Sequence, residues 1–101
     1  MAEYTYDGTV LRDSSGRKMG EIDRTYVRGW NAALLGQIDR KSIRDNRGKK
    51  LLDFDGKTLK DDLGKKVASL KDIQALIDGE PDIGMAAAWY FLIKQQQANM
   101  T

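Results

Sequence analysis

The chain has no cysteine and no histidine among its 101 residues. Without cysteine it has no disulfide and no thiolate ligand. Without histidine it has no imidazole for metal binding, acid–base catalysis or a Ser-His nucleophile. The phosphate-loop pattern Gly-x-x-x-x-Gly-Lys-Ser/Thr is also missing. We therefore predict that the protein is not an enzyme and that it has no cofactor and no metal site.

Long apolar segments are missing as well. The longest one, Ile83 to Ile93, would span about 16 Å as a helix, against about 30 Å of bilayer hydrocarbon. The N-terminal MAEYTYDGTV has neither the basic nor the apolar region of a secretory signal. We expect no transmembrane segment, and the lack of cysteine favours a reducing cytoplasm.

What the chain does contain is a 16-residue repeat. Asp recurs at 7, 23, 39 and 55, and the four units 7–22, 23–38, 39–54 and 55–70 follow one another without insertion. Position five of each unit is aliphatic and position six is basic. In three units the turn reads Asp-x-x-Gly, which is typical of a type I turn ending in a left-handed glycine. Each unit is therefore predicted to be a β-hairpin.

An isolated hairpin is marginally stable in water, so four of them must bury their aliphatic positions against one another. We predict a mainly β fold in which residues 3–70 form a pseudo-four-fold ring or roll of hairpins. Residues Glu3 to Tyr6 align with the last positions of a unit. They are predicted to form an N-terminal strand that closes the open edge of the fourth unit. A chain of this length, 1–101, fits one domain.

The unit Asp-Gly-x-x-Ile-Arg-Asp-x-x-Gly-Lys-x-x-Gly-x-Ile, repeated four times before a short apolar tail, resembles the small bacterial four-fold β-flower family. The second unit departs from it, because Gly29 to Ala32 replace the Asp-x-x-Gly turn. The resemblance implies a fold and a bacterial source, and no established activity or catalytic residues.

The tail, 71–101, is predicted to contain a short helix and an apolar C-terminal helix. Ser69 is placed as the N-cap of the first helix and Gly79 as its C-terminal glycine. The second helix is predicted from about Ile83 into Gln97. Its segment Met85–Ile93 is apolar on every face, and such a helix is normally buried all round.

We reason that the hairpins can cover only one side of this helix. The leading hypothesis is therefore a scaffold or interaction module that binds a second copy or a protein partner through 83–97. Trp30, at a predicted loop apex, is either a further anchor or packs under the tail, and its Ala and Leu neighbours favour packing. The candidate partner-binding residues are Trp30, Met85, Trp89, Tyr90, Phe91 and Ile93.

The alternative hypothesis rests on charge. Residues 7–70 hold 15 Lys and Arg against 10 Asp and Glu, whereas the flanking segments are acidic. A basic face binds anionic surfaces or nucleic acid, and phosphate contacts dominate such binding. The candidate anion-binding residues are the basic residues at position six: Arg12, Arg28, Arg44 and Lys60. A third hypothesis is peripheral membrane attachment through the aromatic run Trp89–Phe91.

Overall fold

The computed structural model describes residues 3–94, so the part of the predicted helix beyond Lys94 lies outside the described residues. The described chain is mainly β, as predicted: ten strands form one open sheet. The strands are β1 (Tyr4–Tyr6), β2 (Val10–Asp13), β3 (Lys18–Asp23), β4 (Tyr26–Gly29), β5 (Leu34–Asp39), β6 (Ser42–Asp45), β7 (Lys50–Phe54), β8 (Thr58–Asp61), β9 (Lys66–Ser69) and β10 (Ile77–Gly79).

Strands β1 to β9 follow each other in an antiparallel meander, and each 16-residue unit contributes two of them. Below, the hairpins β2–β3, β4–β5, β6–β7 and β8–β9 are called the first to fourth hairpins. Their tight loops follow from the turn residues. The amide of Gly16 donates to the carbonyl of Asp13, and Gly16 takes the left-handed φ of 86° that glycine tolerates.

A β-bulge interrupts every hairpin at the same place. In the first hairpin Leu11 faces Gly20 while Arg12 faces Lys18, which leaves Met19 as the extra residue. The second, third and fourth hairpins repeat this register shift. The bulge takes position 13 of each unit out of the regular alternation of the strand; the residues at this position are Met19, Leu35, Leu51 and Val67. Position 13 is looped out and half-buried, whereas positions 5 and 14 point into the core.

The N-terminal strand does not pair where we predicted. Strand β1 lies antiparallel to β2 and parallel to β10, and it does not pair with β9, the edge strand of the fourth unit. Gly79 likewise is not a helix C-terminus. It belongs to β10 and lies opposite Tyr6. The tail thus supplies the strand that covers the N-terminal edge.

Two helical segments complete the tail. Helix α1 (Leu70–Gln74) begins at Ser69, whose hydroxyl accepts the amide of Asp72 at 3.1 Å, as the sequence predicted. Helix α2 (Ile83–Ala88) begins at Asp82, whose carboxylate accepts the amide of Met85 at 2.9 Å. It continues directly into a π-helical turn (Trp89–Lys94).

The core lies between the inner face of the sheet and this C-terminal helix. The aliphatic residue at position five of each unit is fully buried, and so are most side chains of the helix. The helix contributes Met85, Ala86, Ala87, Ala88, Phe91, Leu92 and Ile93, each between 0 and 6% exposed. The premise that the hairpins leave one side of the helix uncovered is therefore wrong for these residues.

Candidate functional site

The meander places all four hairpin loops at one end of the sheet, because successive connections alternate between the two ends of the strands. We call this the tip end and define it as residues 13–18, 29–34, 45–50 and 61–66. The turns between units form the opposite, junction end, residues 7–9, 23–25, 39–41 and 55–57. The two ends differ in charge and in hydrophobicity.

The tip end is the basic one. It carries seven Lys and Arg and four Asp, a net charge of +3, whereas the junction end carries four of each sign. The repeats contain several short runs of Lys and Arg, and the fold divides them between the two ends. Arg40 and Lys41 lie at the junction end; Arg17, Lys18, Arg47, Lys49, Lys50, Lys65 and Lys66 lie at the tip end.

Three of the four acidic residues at the tip end are engaged inside their own loops. Oδ1 of Asp45 accepts the amides of Arg47 and Lys49 at 2.8 and 2.9 Å, and these bonds lower the pKa of its carboxyl. Asp13 and Asp61 accept the amides at the same two loop positions. The carboxylates of these three residues are thus occupied within their own loops, whereas Asp62 is exposed.

The second hairpin departs from this pattern over its whole loop. Residues 29–38 contain no charged side chain. Gly29 stands where the other hairpins have Asp, and Asn31 replaces the missing carboxylate by accepting the amide of Ala33 at 3.2 Å. Ala33 and Leu34 occupy the two positions that are basic in the other three hairpins. One of the four tips is therefore neutral and apolar.

An open pocket of about 770 Å³ lies beside this neutral hairpin. Side chains of Met19, Leu35 and Leu92 make its lining largely apolar, and Arg17 and Lys18 of the first hairpin border it. Arg17 is 3.3 Å from Asp13, and Lys18 is 3.3 Å from Glu21. The pocket thus combines an apolar lining with two bordering cations, each of which has a carboxylate 3.3 Å away.

Trp30 also borders this pocket and is 74% exposed, so our expectation that it packs under the tail is wrong. The loop residues before and after it leave its indole projecting from the tip end. Leu63, at the tip of the fourth hairpin, is 87% exposed and was not singled out from the sequence. Its position between Asp62 and Gly64 was the available signal, because the central residues of such a turn lie beyond the strand ends.

The predicted anion-binding residues lie on the outer face of the sheet, but they do not converge on a common point. Arg12, Arg28 and Arg44 each donate to a carbonyl in the loop of their own hairpin at 2.9–3.2 Å. Arg28 and Arg44 also lie 3.8 and 3.4 Å from Asp23 and Asp39. These arginines therefore brace the hairpins. Lys60 is exposed at the corresponding place in the fourth hairpin.

The candidate partner-binding residues of the tail divide into two groups. Met85, Phe91 and Ile93 are buried in the core and present no surface to a partner. Trp89 and Tyr90 are half-buried, and the Tyr90 ring packs edge-to-face on Phe91 with centroids 5.2 Å apart. Tyr6 is also buried, and its hydroxyl donates to the carbonyl of Gly8. Desolvation is the main cause that raises the pKa of this hydroxyl to about 12.

A second, smaller pocket lies on the other side of the first hairpin and is bordered by Glu3, Asp13 and Asp78. The positive charge of the tip end therefore lies on Arg17 and Lys18 of the first hairpin and on the loops of the third and fourth hairpins. Within residues 3–94, no group of three or more His, Cys, Asp or Glu side chains is arranged to hold a metal ion.

Among the described residues, no helix has the length and apolar character needed to cross a membrane. In comparisons with known proteins, no family model, no curated protein and no solved structure matches the chain.

Proposed function

We propose that the protein is a non-catalytic binding module that docks its tip end onto an anionic surface. The observation that carries this proposal is the uneven charge of the sheet, +3 at the tip end and zero at the junction end. A charge distribution with one basic end orients the molecule toward a polyanion before contact.

The cations at the tip end are available for this role. Arg47, Lys49, Lys65 and Lys66 are exposed, and within residues 3–94 they form no ion pair. Asp45 and Asp61, in the same two loops, already accept backbone amides. An anionic partner can therefore contact these four side chains without breaking an existing ion pair.

We further propose that the four hairpins form a pseudo-four-fold ring of the β-flower type. The repeated loop hydrogen bonds and the repeated bulges support this proposal. So does the chain connection, since only residues 70–76 join the two edge strands β9 and β10. A ring of this kind would hold the four loops as a rigid, preorganised rim, which lowers the entropic cost of binding. The chemistry of the chain, which has no cysteine, supports a reducing cytoplasm as its location.

Association through the C-terminal helix, our first hypothesis, is replaced by docking through the tip end. Met85, Phe91 and Ile93, three of the side chains that were to contact a partner, are buried in the core. Nucleic acid is the second candidate partner, and the exposed Trp30 supports it. An aromatic side chain beside cations offers a stacking surface for unpaired bases.

The proposal is tested by retention on immobilised heparin, a soluble sulfated polyanion, with elution by salt. A tip variant, R47Q/K49Q/K65Q/K66Q, is compared with the junction variant R40Q/K41Q and with the native chain. We expect the tip variant to elute at clearly lower salt and the junction variant to elute close to the native protein, because each phosphate-like contact adds to the salt dependence. Equal elution of both variants, or no retention of the native chain at low salt, would contradict the proposal.

A further inference from the structure

We infer that the anionic surface is a lipid bilayer, and that the neutral second hairpin enters the boundary between its headgroups and acyl chains. This inference rests on the proposed function and names the partner of the tip end. Its contact residues are Trp30 and Leu63 for the apolar boundary, and Arg17 and Lys18 for the lipid phosphates next to Trp30.

Large apolar side chains are exposed at the basic end of the sheet. Trp30 and Leu63 are 74% and 87% exposed, and both lie at the tips of hairpin loops. They are the two most exposed large hydrophobic side chains within residues 3–94. A Trp side chain favours the membrane–water boundary, since its ring is apolar and its indole N–H finds polar partners there.

Trp30 and Leu63 lie on different hairpins but at the same end of the sheet. An unpaired nucleic-acid strand would use Trp30 for stacking, but Leu63 offers no aromatic face on which a base can stack. A bilayer takes up both, since its interior accepts any apolar side chain that protrudes from a common end. Leu63 therefore favours lipid over nucleic acid.

The pocket beside Trp30 also favours a lipid. Its apolar lining, with Met19, Leu35 and Leu92, lies next to the charged groups of Arg17 and Lys18. In a lipid molecule a phosphate lies next to an apolar chain, so the phosphate would face the two basic residues and the chain would face the apolar lining. Basic side chains at such a surface attract anionic lipids within a Debye length.

The lack of charged side chains in the loop of the second hairpin favours its insertion into the bilayer. If its loop carried the basic residues of the other hairpins, desolvating them at the acyl boundary would oppose insertion. The chain instead has Ala33 and Leu34 at those positions, and Gly29 in place of the turn aspartate. The basic loops of the third and fourth hairpins then remain at the headgroup level.

The test is co-sedimentation with vesicles of phosphatidylcholine, with and without phosphatidylserine. The variant W30S/L63S removes both apolar tips, and Y26S is the matched control. Tyr26 is 40% exposed, but it follows a junction turn at the opposite end of the sheet. All three substituted side chains are exposed, and circular dichroism checks that each variant keeps the native fold.

We expect the native chain and Y26S to bind phosphatidylserine-containing vesicles equally, and W30S/L63S to bind at least about tenfold more weakly, given the apolar area withdrawn. All three should keep the same elution salt on heparin. Bromines on the acyl chains should quench the Trp fluorescence of the native chain, and W30F, which retains only Trp89, should lose this quenching.

The outcomes separate the two proposals. Retention on heparin without vesicle binding would overturn the lipid inference and leave the proposed function standing. Binding of a single-stranded oligonucleotide that W30S weakens and L63S does not, again without vesicle binding, would replace lipid with nucleic acid. Failure to bind heparin, oligonucleotide and vesicles alike would overturn both.

Discussion

Gly20 lies directly beneath Leu92. A Cβ atom on Gly20 would come within 2.6 Å of Cδ2 of Leu92 and 2.5 Å of the carbonyl oxygen of Arg28. Gly36, the equivalent residue of the second unit, lies in the same way beneath the ring of Phe91. The third and fourth units have Leu52 and Ala68 at this position. The C-terminal helix therefore rests on the backbone of the first two hairpins.

Gly20→Ala is expected to destabilise the fold by about 1–3 kcal/mol, the usual cost of overpacking a filled core. Gly29→Ala is the matched control, because its Cβ would meet its nearest neighbour at 3.4 Å, an ordinary contact. Urea denaturation of both variants measures the difference. Equal unfolding free energies for the two would show that the helix does not depend on this close approach.

Ala32→Gly is expected to stabilise the second hairpin. Ala32 has a left-handed φ of 68°, and the other three hairpins have glycine there. Relief of the left-handed strain exceeds the added freedom of the unfolded chain, which gives a gain of about 0.5–1 kcal/mol. Ala33→Gly, at a position outside the left-handed region, should lower stability instead. Thermal denaturation of the two variants checks the opposite signs.

A chain truncated after Gly79 is expected to be unfolded. The truncation removes Met85, Leu92 and Ile93, each at most 2% exposed. Losing one such side chain commonly costs about 2–5 kcal/mol, and together they exceed the stability of a domain of this size. A chain truncated after Lys94 retains all of them and should keep the native circular dichroism spectrum. A cooperatively folded monomer ending at Gly79 would contradict this account of the core.

Acid is expected to weaken the turns. Backbone amides hold the pKa of Asp7, Asp45 and Asp55 below the ordinary value of 3.8, and Ser15 and an amide do so for Asp13. Because the folded pKa is the lower one, this stabilisation is complete above about pH 4 and is lost as the pH falls through the folded pKa.

The measurement is urea denaturation from pH 6 down to about pH 3. The variant D7N/D13N/D45N/D55N keeps an oxygen acceptor in each turn but does not titrate, so its unfolding free energy should fall less steeply. Asp62→Asn, a change at an exposed loop position, is the control and should follow the native chain. A native chain whose stability does not change below pH 4 would rule out this role of the turns.

The hairpins could be predicted because their information is local. Asp13 accepts a backbone amide of its own loop, and Gly16 takes the left-handed φ that the turn needs. Ser69 likewise caps a helix that begins at the next residue. Each of these structures depends on the few residues that form it, and the same turn residues recur every 16 residues. The fold class and the positions of the strands follow from that.

Pairing and burial were decided by contacts between distant residues. Residues Ile77–Gly79 extend a helical pattern in the sequence, yet they form a strand, because β1 offers them unpaired backbone groups. The C-terminal helix packs on Gly20 and Gly36, which lie 72 and 55 residues before Leu92 and Phe91, the residues that they contact. Trp30 lies exposed in a loop at the tip end, whereas Phe91 and Leu92 of that helix pack over Gly36 and Gly20. Which side chains fill the interior depends on the whole fold, so a local sequence pattern does not predict it.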